Sequence, residues 1–300
     1  MANPAPAVSR PPAPVQTATI WIDGEWHSKE SGRVSVFDHG LLYGDGVFEG
    51  IRVYAGKVFK LAEHLDRLWD CAHAVMLTVP ISKAAFGAVI EEAVKRSGLT
   101  EAYIRPIITR GIGDLGVDPR RCPTPSMIVI VDAINIWPPE RYEEGLSVIT
   151  AGTPIPHRES LSPRIKSLNY LSHCMAKLEA NVAGADEALM LDSAGHVAEG
   201  TGQNLFVVKA GVLRTPPLYA GILAGITRAV VMQLASEAGH VVKEEMLNRF
   251  DVYTADEAFL TGTASEIAPI RSYDGRKIGA GKAGPITRNL MTRFKEYVRR

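Results

Sequence analysis

Three hundred residues, 46% of them hydrophobic and 22% charged, describe a soluble globular chain long enough for one large domain or two smaller ones. Lys+Arg and Asp+Glu balance at 33 each, so no charge excess favours a nucleic-acid backbone or an anionic membrane, and a small-molecule partner is expected. No stretch approaches the roughly 20 apolar residues of a membrane span, and the three cysteines (Cys71, Cys122, Cys174) have neither CxxC nor metal-ligand spacing, so no metal and a reducing, cytoplasmic compartment are expected.

Residues 1–16 belong to a Pro/Ala-rich stretch with no apolar signal region and are read as a disordered extension. Order is expected from about Thr17. TIWIDGEWHS alternates around Asp23-Gly24 and predicts a hairpin; GVFEGIRVYAGKVFKL (46–61) predicts a second, turning at Ala55-Gly56. Apolar spacing then becomes helical over 61–77 and 81–98, with Ser82 as N-cap and Gly98 as stop. AYIRPIITR (102–110) and SMIVIVDA (126–133) read as buried strands. Two prolines and a polar run over 134–145 predict an interdomain connection. Beyond it, strands and helices mix: LSVITAG, a helix after Asn169, EALMLD, NLFVVKAGVLRTP turning at Ala210-Gly211, a helix in TRAVVMQLASEAG, HVVKEEM, EAFLTG, and an amphipathic helix from about Ile286. The succession is not a regular βαβ alternation. It implies an α+β fold of two domains, 17–133 and 146–300, with antiparallel or mixed sheets.

Two glycine-rich stretches are discounted. GIGDLG (111–116) matches GxGxxG, but VDPRRCPTP follows, and its prolines exclude the helix that a dinucleotide's pyrophosphate needs. GRKIGAGKAG (275–284) lacks the first glycine and the hydroxyl residue of a P-loop.

Other stretches carry chemistry. SPRIKSLNYLSH (162–173) sets Lys166 just before a helix; taken alone it is one more surface lysine. VAEGTGQNLF places Glu199 beside two glycines and Asn204, although the glycines could serve only to shape a bend. Gly225-Ile226-Thr227 opens a helix whose free N–H groups and hydroxyl suit a phosphate, and equally suit an ordinary helix start. FLTGTASEI (259–267) ends a strand in a hydroxyl-rich turn of the kind that often caps a following helix. A lysine, a carboxylate and phosphate-binding turns together describe pyridoxal phosphate. That cofactor needs an amine for its Schiff base, an acid for its ring nitrogen and an anion site.

These stretches, with YGDGVFEGIR (43–52), EHLDRL (63–68), AYIRP (102–106), IKSLNY (165–170) and GTASEI (262–267), resemble the fold-type IV (class IV) pyridoxal-phosphate aminotransferases, and among them the branched-chain amino-acid aminotransferases. The likeness runs from about residue 18 to the C-terminus. It implies a two-domain α+β architecture like that of D-amino-acid aminotransferase. It also implies that Lys166 holds the cofactor and shuttles the proton, Glu199 pairs with the ring nitrogen, and Tyr170 bonds the ring's phenolic oxygen. Arg67, Ile226, Thr227 and Thr263 would bind the phosphate.

For substrate, the resemblance implies Tyr103 with the Thr263 and Ala264 N–H groups on the α-carboxylate. Phe48, Gly50 and Tyr43 would shape the pocket, Leu115 and Val117 would enter from a partner subunit of at least a homodimer, and Arg105 would meet the second carboxylate of glutamate. The implied reaction is reversible transamination of L-leucine, L-isoleucine and L-valine with 2-oxoglutarate. Alternatives within the fold are a D-amino-acid or (R)-amine transaminase or an aminodeoxychorismate lyase-type enzyme; outside catalysis, a cofactor-binding regulatory protein would keep the fold without needing an electron sink. The Pro-rich tail and the segment around Ile134–Trp137 have no match in the family pattern.

Overall fold

The computed structural model describes residues 19–300. The extension expected over 1–16, and the onset of order near Thr17, lie outside the described residues.

The first half forms an antiparallel sheet covered by helices. β1 (Thr19–Ile22) and β2 (Glu25–His27) make the expected hairpin, with Asp23 and Gly24 both at positive φ, as a two-residue primed turn requires. The short helix α1 (His39–Tyr43) starts on Asp38, whose carboxylate accepts the Gly40 N–H. β3 (Gly46–Phe48), β4 (Ile51–Tyr54) and β5 (Lys57–Val58) follow. The turn at Ala55-Gly56 joins β4 to β5, but β3 lies outside that hairpin. β3 and β4 are two pieces of one line, both paired with β6 (Ala102–Thr109). The break at Glu49-Gly50 faces Pro106: the Glu49 N–H donates to the Pro106 carbonyl, and Pro106 has no N–H to return. This interruption aims the Glu49 side chain inward and leaves Gly50 bare at a cavity wall.

Helices α2 (Leu61–Ala74) and α3 (Lys83–Ser97) follow the apolar periodicity; Ser82 caps α3 through the Ala85 N–H, and Gly98 ends it in the left-handed region. With β7 (Ser126–Asp132) the sheet order is β2-β1-β7-β6-β4-β5, with β3 beside β6. Leu65, Leu68, Phe86 and Ile90 of the helices pack on Ile104 and Val129 of the sheet.

Two proline segments are more helical than expected. One 3-10 turn forms at Pro119–Arg121, and α4 (Pro139–Glu144) sits inside the connection. In both, proline occupies the first turn, where its missing N–H costs nothing. Trp137 of the connection is buried with Leu146, Val148 and Ile270 of the second core.

The second half holds β8 (Leu146–Thr150), α5 (Leu171–Val182), β9 (Glu187–Leu191), β10 (Val197–Gly200), β11 (Asn204–Lys209), β12 (Val212–Thr215), α6 (Ile226–Glu237), β13 (Val242–Glu244), α7 (Arg249–Tyr253), β14 (Glu257–Gly262), β15 (Glu266–Tyr273), β16 (Arg276–Lys277) and α8 (Pro285–Tyr297). Its sheet runs β10-β9-β8-β15-β14-β11-β12-β13, with β16 on β15. Pairs β8–β9, β8–β15 and β12–β13 are parallel and the rest antiparallel, so the sheet is mixed, as expected. A further pairing of β10 with β11, Glu199 opposite Asn204, closes six strands into a ring. The turn after β14 leads into strand β15 and caps no helix. Helices beside one antiparallel and one mixed sheet make this an α+β fold.

Candidate functional site

The two halves are stitched by the segment before α5. The Phe48 N–H donates to the Lys166 carbonyl, and the Leu168 N–H donates to the Gly46 carbonyl, so residues 166–168 run beside β3. Cys71 of α2 fixes the same segment: its Sγ accepts the Lys166 N–H at 3.2 Å and lies 3.6 Å from the Arg164 carbonyl. Lys166 is therefore no surface lysine. Its side chain enters a cavity of about 460 Å³ between the halves. Its Nζ lies 3.3 Å from Tyr170 Oη and 4.7 Å from the Phe48 ring centre. Burial lowers the pKa of this amine, opposed by the nearby Glu49 charge.

Tyr170 is wedged between Phe48, edge-on at 4.9 Å, and His173, stacked at 4.4 Å. Burial pushes its phenol up and holds the His173 imidazole down at about 4, neutral. Glu199 enters from the ring closure. Its carboxylate accepts the Asn204 Nδ2–H at 2.9 Å and the Leu223 N–H at 3.1 Å. Both donors are neutral, and among the described residues Glu199 has no ion pair within 4 Å. Burial pushes its carboxyl up to about 8, against the pull of the Leu223 N–H.

Arg67 reaches the opposite wall from α2. Its Nε and Nη2 donate to the two Glu49 oxygens at 2.6 and 2.8 Å, and its Nη1 donates to the Ala224 carbonyl at 2.6 Å. Glu49 is fully buried and also meets His64 Nδ1 at 2.8 Å. Burial alone would raise the Glu49 carboxyl, but the Arg67 charge and the His64 hydrogen bond hold it well below the usual range. Beside Arg67, α6 opens on Gly225 with no side-chain cap, presenting Ile226 and Thr227 to the cavity. Gly225 is required there because a Cβ would lie 2.0 Å from Asn204 Oδ1. The β14–β15 turn adds Thr263 and Ala264, and the buried hydroxyls of Thr261 and Ser265, which have no partner among the described residues.

The remaining wall comes from β4 and β6. Gly50 lets Tyr103 in, since a Cβ at residue 50 would lie 1.9 Å from Tyr103 Oη. Arg105 Nη2 donates to that oxygen at 3.2 Å, and its guanidinium lies 4.7 Å from the Phe48 ring centre. A larger cleft of about 850 Å³ adjoins across Ile134, Ile136 and Ala264, but neither Lys166 nor Glu199 lines it, so the chemistry belongs to the smaller cavity.

Of the residues singled out in the sequence, Lys166, Tyr170, Glu199, Arg67, Ile226, Thr227, Thr263, Ala264, Phe48, Gly50, Tyr103 and Arg105 all meet at this cavity. Tyr43, Leu115 and Val117 do not line it in the same chain. Tyr43 donates to the Leu115 carbonyl and packs edge-on against His39, while Leu115 and Val117 are 70% and 79% exposed. Sequence reasoning missed Glu49, His64 and His173. A signal existed for one pair: His64 and Arg67 stand three apart on α2, hence on one face.

The family described as amino-transferase class IV matches residues 46–273. The chain is 50% identical over 277 residues to a protein of Methanocaldococcus jannaschii assigned provisionally as a branched-chain-amino-acid aminotransferase, covering 92% of this chain and 95% of that one. It is 40% identical to the branched-chain-amino-acid aminotransferase of Pseudomonas aeruginosa, covering 93% and 92%. Among solved structures it resembles the branched-chain amino acid aminotransferase of Escherichia coli, at TM-score 0.90, 37% identity and 93% coverage of each chain. The T.th. branched-chain amino acid aminotransferase complexed with N-(5'-phosphopyridoxyl)-L-glutamate matches at TM-score 0.88, with 36% identity and 94% coverage of each chain.

Proposed function

The chain belongs to the class IV aminotransferases and is a pyridoxal-phosphate-dependent aminotransferase, and we propose that it transfers the amino group of L-leucine, L-isoleucine or L-valine reversibly to 2-oxoglutarate. The observation that carries the reading is the meeting, on one cavity wall system, of a buried amine, a buried carboxylate and an anion cradle. The branched-chain enzymes among its relatives, and the glutamate adduct bound by one of them, support the choice of substrates.

The residues fit the cofactor. Glu199 is a buried carboxylate whose hydrogen-bond donors are all neutral, which suits a protonated ring nitrogen. Arg67, the open start of α6 and the unpartnered Thr261 and Ser265 hydroxyls suit a phosphate. When bound, the cofactor supplies an electron sink for the pair released at the substrate Cα.

The chain's own residues do the rest. Lys166 would hold the cofactor through Nζ, and its amine would carry the proton to and from the substrate Cα; its lowered pKa favours the neutral amine this role needs. Tyr170, locked between Phe48 and His173, keeps its hydroxyl beside Lys166, where it would hydrogen-bond the ring's phenolic oxygen. Tyr103 and the Thr263 and Ala264 N–H groups take the α-carboxylate, Phe48 and Gly50 bound the side-chain pocket, and Arg105 takes the second carboxylate of the dicarboxylic partner. The exposed Tyr43, Leu115 and Val117 are assigned to a second copy's cavity, making the working unit at least a homodimer. Among the described residues no helix is long and apolar enough to cross a membrane.

Two half-reactions predict ping-pong kinetics. Mixing the holoenzyme with L-leucine alone should move the cofactor's visible band to that of the amine form, while D-leucine should leave it. No change with L-leucine, L-isoleucine or L-valine would overturn the substrate assignment. Lys166→Ala should lose turnover by about 10²–10⁴-fold and trap no cofactor on borohydride reduction.

A further inference from the structure

We infer that Glu49 and His64 are positioning residues for the cofactor's phosphate, setting the guanidinium of Arg67 so that only its end-on pair of N–H groups is offered to the cavity. The inference rests on the proposed role of Arg67. A guanidinium has five N–H donors in a fixed plane. Glu49 takes the side-on pair, Nε and Nη2, and the Ala224 carbonyl takes one N–H of Nη1. What remains is one N–H on each of Nη1 and Nη2, the fork that matches two oxygens of a phosphate. Arg67 is tethered at both ends, and the planar group has no rotation left that would keep these bonds.

His64 steadies the carboxylate in turn. Its Nδ1 meets Glu49 Oε2 at 2.8 Å, while its Nε2 is buried with no partner among the described residues. A proton on Nδ1 is the tautomer this arrangement demands, since a proton on Nε2 would leave a buried donor unpaired and set a lone pair against the carboxylate. Glu49 also accepts the Gly50 N–H at 3.2 Å, and its own N–H donates to Pro106. The carboxylate is thereby built into the strand break between Phe48 and Gly50, so the phosphate cradle and the substrate wall share one anchor.

A residue that only supports the fold would affect every ligand of the cavity alike. A residue that aims Arg67 would affect phosphate alone. The full-length protein is loaded with pyridoxal phosphate or with pyridoxal, which lacks the phosphate, and affinity is read from the visible band of the lysine-bound chromophore. Glu49→Gln should weaken pyridoxal phosphate by about 10–100-fold, the scale on which outer-sphere partners of a bound group act, and leave pyridoxal within about twofold. His64→Leu should show the same selectivity at smaller size, and His64→Asn, whose amide can still donate to Glu49, should recover most of it. These variants keep the question answerable if Glu49→Gln does not fold. Equal losses for both ligands, or no loss for either, would overturn the inference. Absence of the band in the unmutated protein with either ligand would overturn the Lys166 assignment itself, and this inference with it.

Discussion

Two buried glutamates face the same cavity and are treated in opposite ways. Glu49 has its cation built into the chain, Arg67 in a two-pronged pair with His64 behind it, and its carboxyl is held well below the usual range. Glu199 is as deeply buried but receives only an amide N–H and a backbone N–H, and its carboxyl is pushed up to about 8. Removing a carboxylate from water is expensive unless a partner compensates it. At Glu49 the fold supplies that partner, and the residue belongs to the architecture that sets Arg67 in place. At Glu199 the fold supplies no such partner among the described residues, and on the proposed function the cofactor's ring nitrogen would supply it. Among buried ionisable groups, the incompletely paired one is the better guide to chemistry.

The largest effect that sharpens this contrast is on stability. Glu49→Gln leaves Arg67 buried without its counter-charge and with one of its three hydrogen-bond acceptors lost, and should cost about 3–5 kcal/mol at neutral pH, the range found when one member of a buried pair is removed. The loss should shrink in acid. A carboxyl depressed in the folded state contributes stability above its unfolded value of 4.5 and forfeits it as pH falls below that value. Denaturant titrations of the cofactor-free chain from pH 7 down to about pH 3, below the unfolded value, would test this; a deficit that stays the same below 4.5 would break the comparison at Glu49.

Glu199→Gln should behave in reverse. A carboxyl raised in the folded state contributes its full stability below 4.5 and loses it as pH rises through about 8. The unmutated cofactor-free chain should therefore lose ground to Glu199→Gln across that window, at about 1.4 kcal/mol per pH unit as an upper slope. The same variant should lower kcat with leucine by about 10²–10³-fold, the scale of one removed electrostatic contact at a reacting group. A Glu199→Gln enzyme with unchanged turnover would show that Glu199 is architecture too.

The contrast also marks what the sequence could disclose. Local signals were legible: Asp23-Gly24 and Ala210-Gly211 turn hairpins, and Ser82 and Gly98 bound α3, because each turn or cap is specified by its own few residues. Lys166, Glu199 and Arg67 were legible only as a set, and the cavity does bring them together. Glu49 was not legible. A glutamate between Phe48 and Gly50 reads as the polar position of an alternating strand, and its burial depends on Pro106, some sixty residues on, breaking the ladder opposite it. The ring closure at Glu199 and Asn204 was hidden for the same reason, since it depends on the order of six strands. The α4 helix is hidden because Pro138-Pro139 reads as a breaker, although proline at a helix start is permitted.

Arg105 extends the comparison to a cation, with the smallest expected effect. Like Glu199 it is ionisable, lies against the cavity and has only a neutral hydrogen-bond partner, the Tyr103 hydroxyl; its Nε is buried without a partner among the described residues. Phe48 faces its guanidinium at 4.7 Å and the Lys166 amine at the same distance, so one aromatic ring borders both nitrogen groups. By the logic that applies to Glu199, the proposed function would supply the missing counter-charge from a ligand, the second carboxylate of 2-oxoglutarate. Arg105→Leu should lower kcat/KM for the 2-oxoglutarate half-reaction by about 10–100-fold, on the order of 1.5–3 kcal/mol for hydrogen bonds to a charged group. The leucine half-reaction should change by less than about threefold. Measuring the two half-reactions separately in single turnovers decides the point. Equal losses in both would mean that Arg105 acts by holding Tyr103 for the α-carboxylate that both substrates share, and the parallel with Glu199 would fail at that residue.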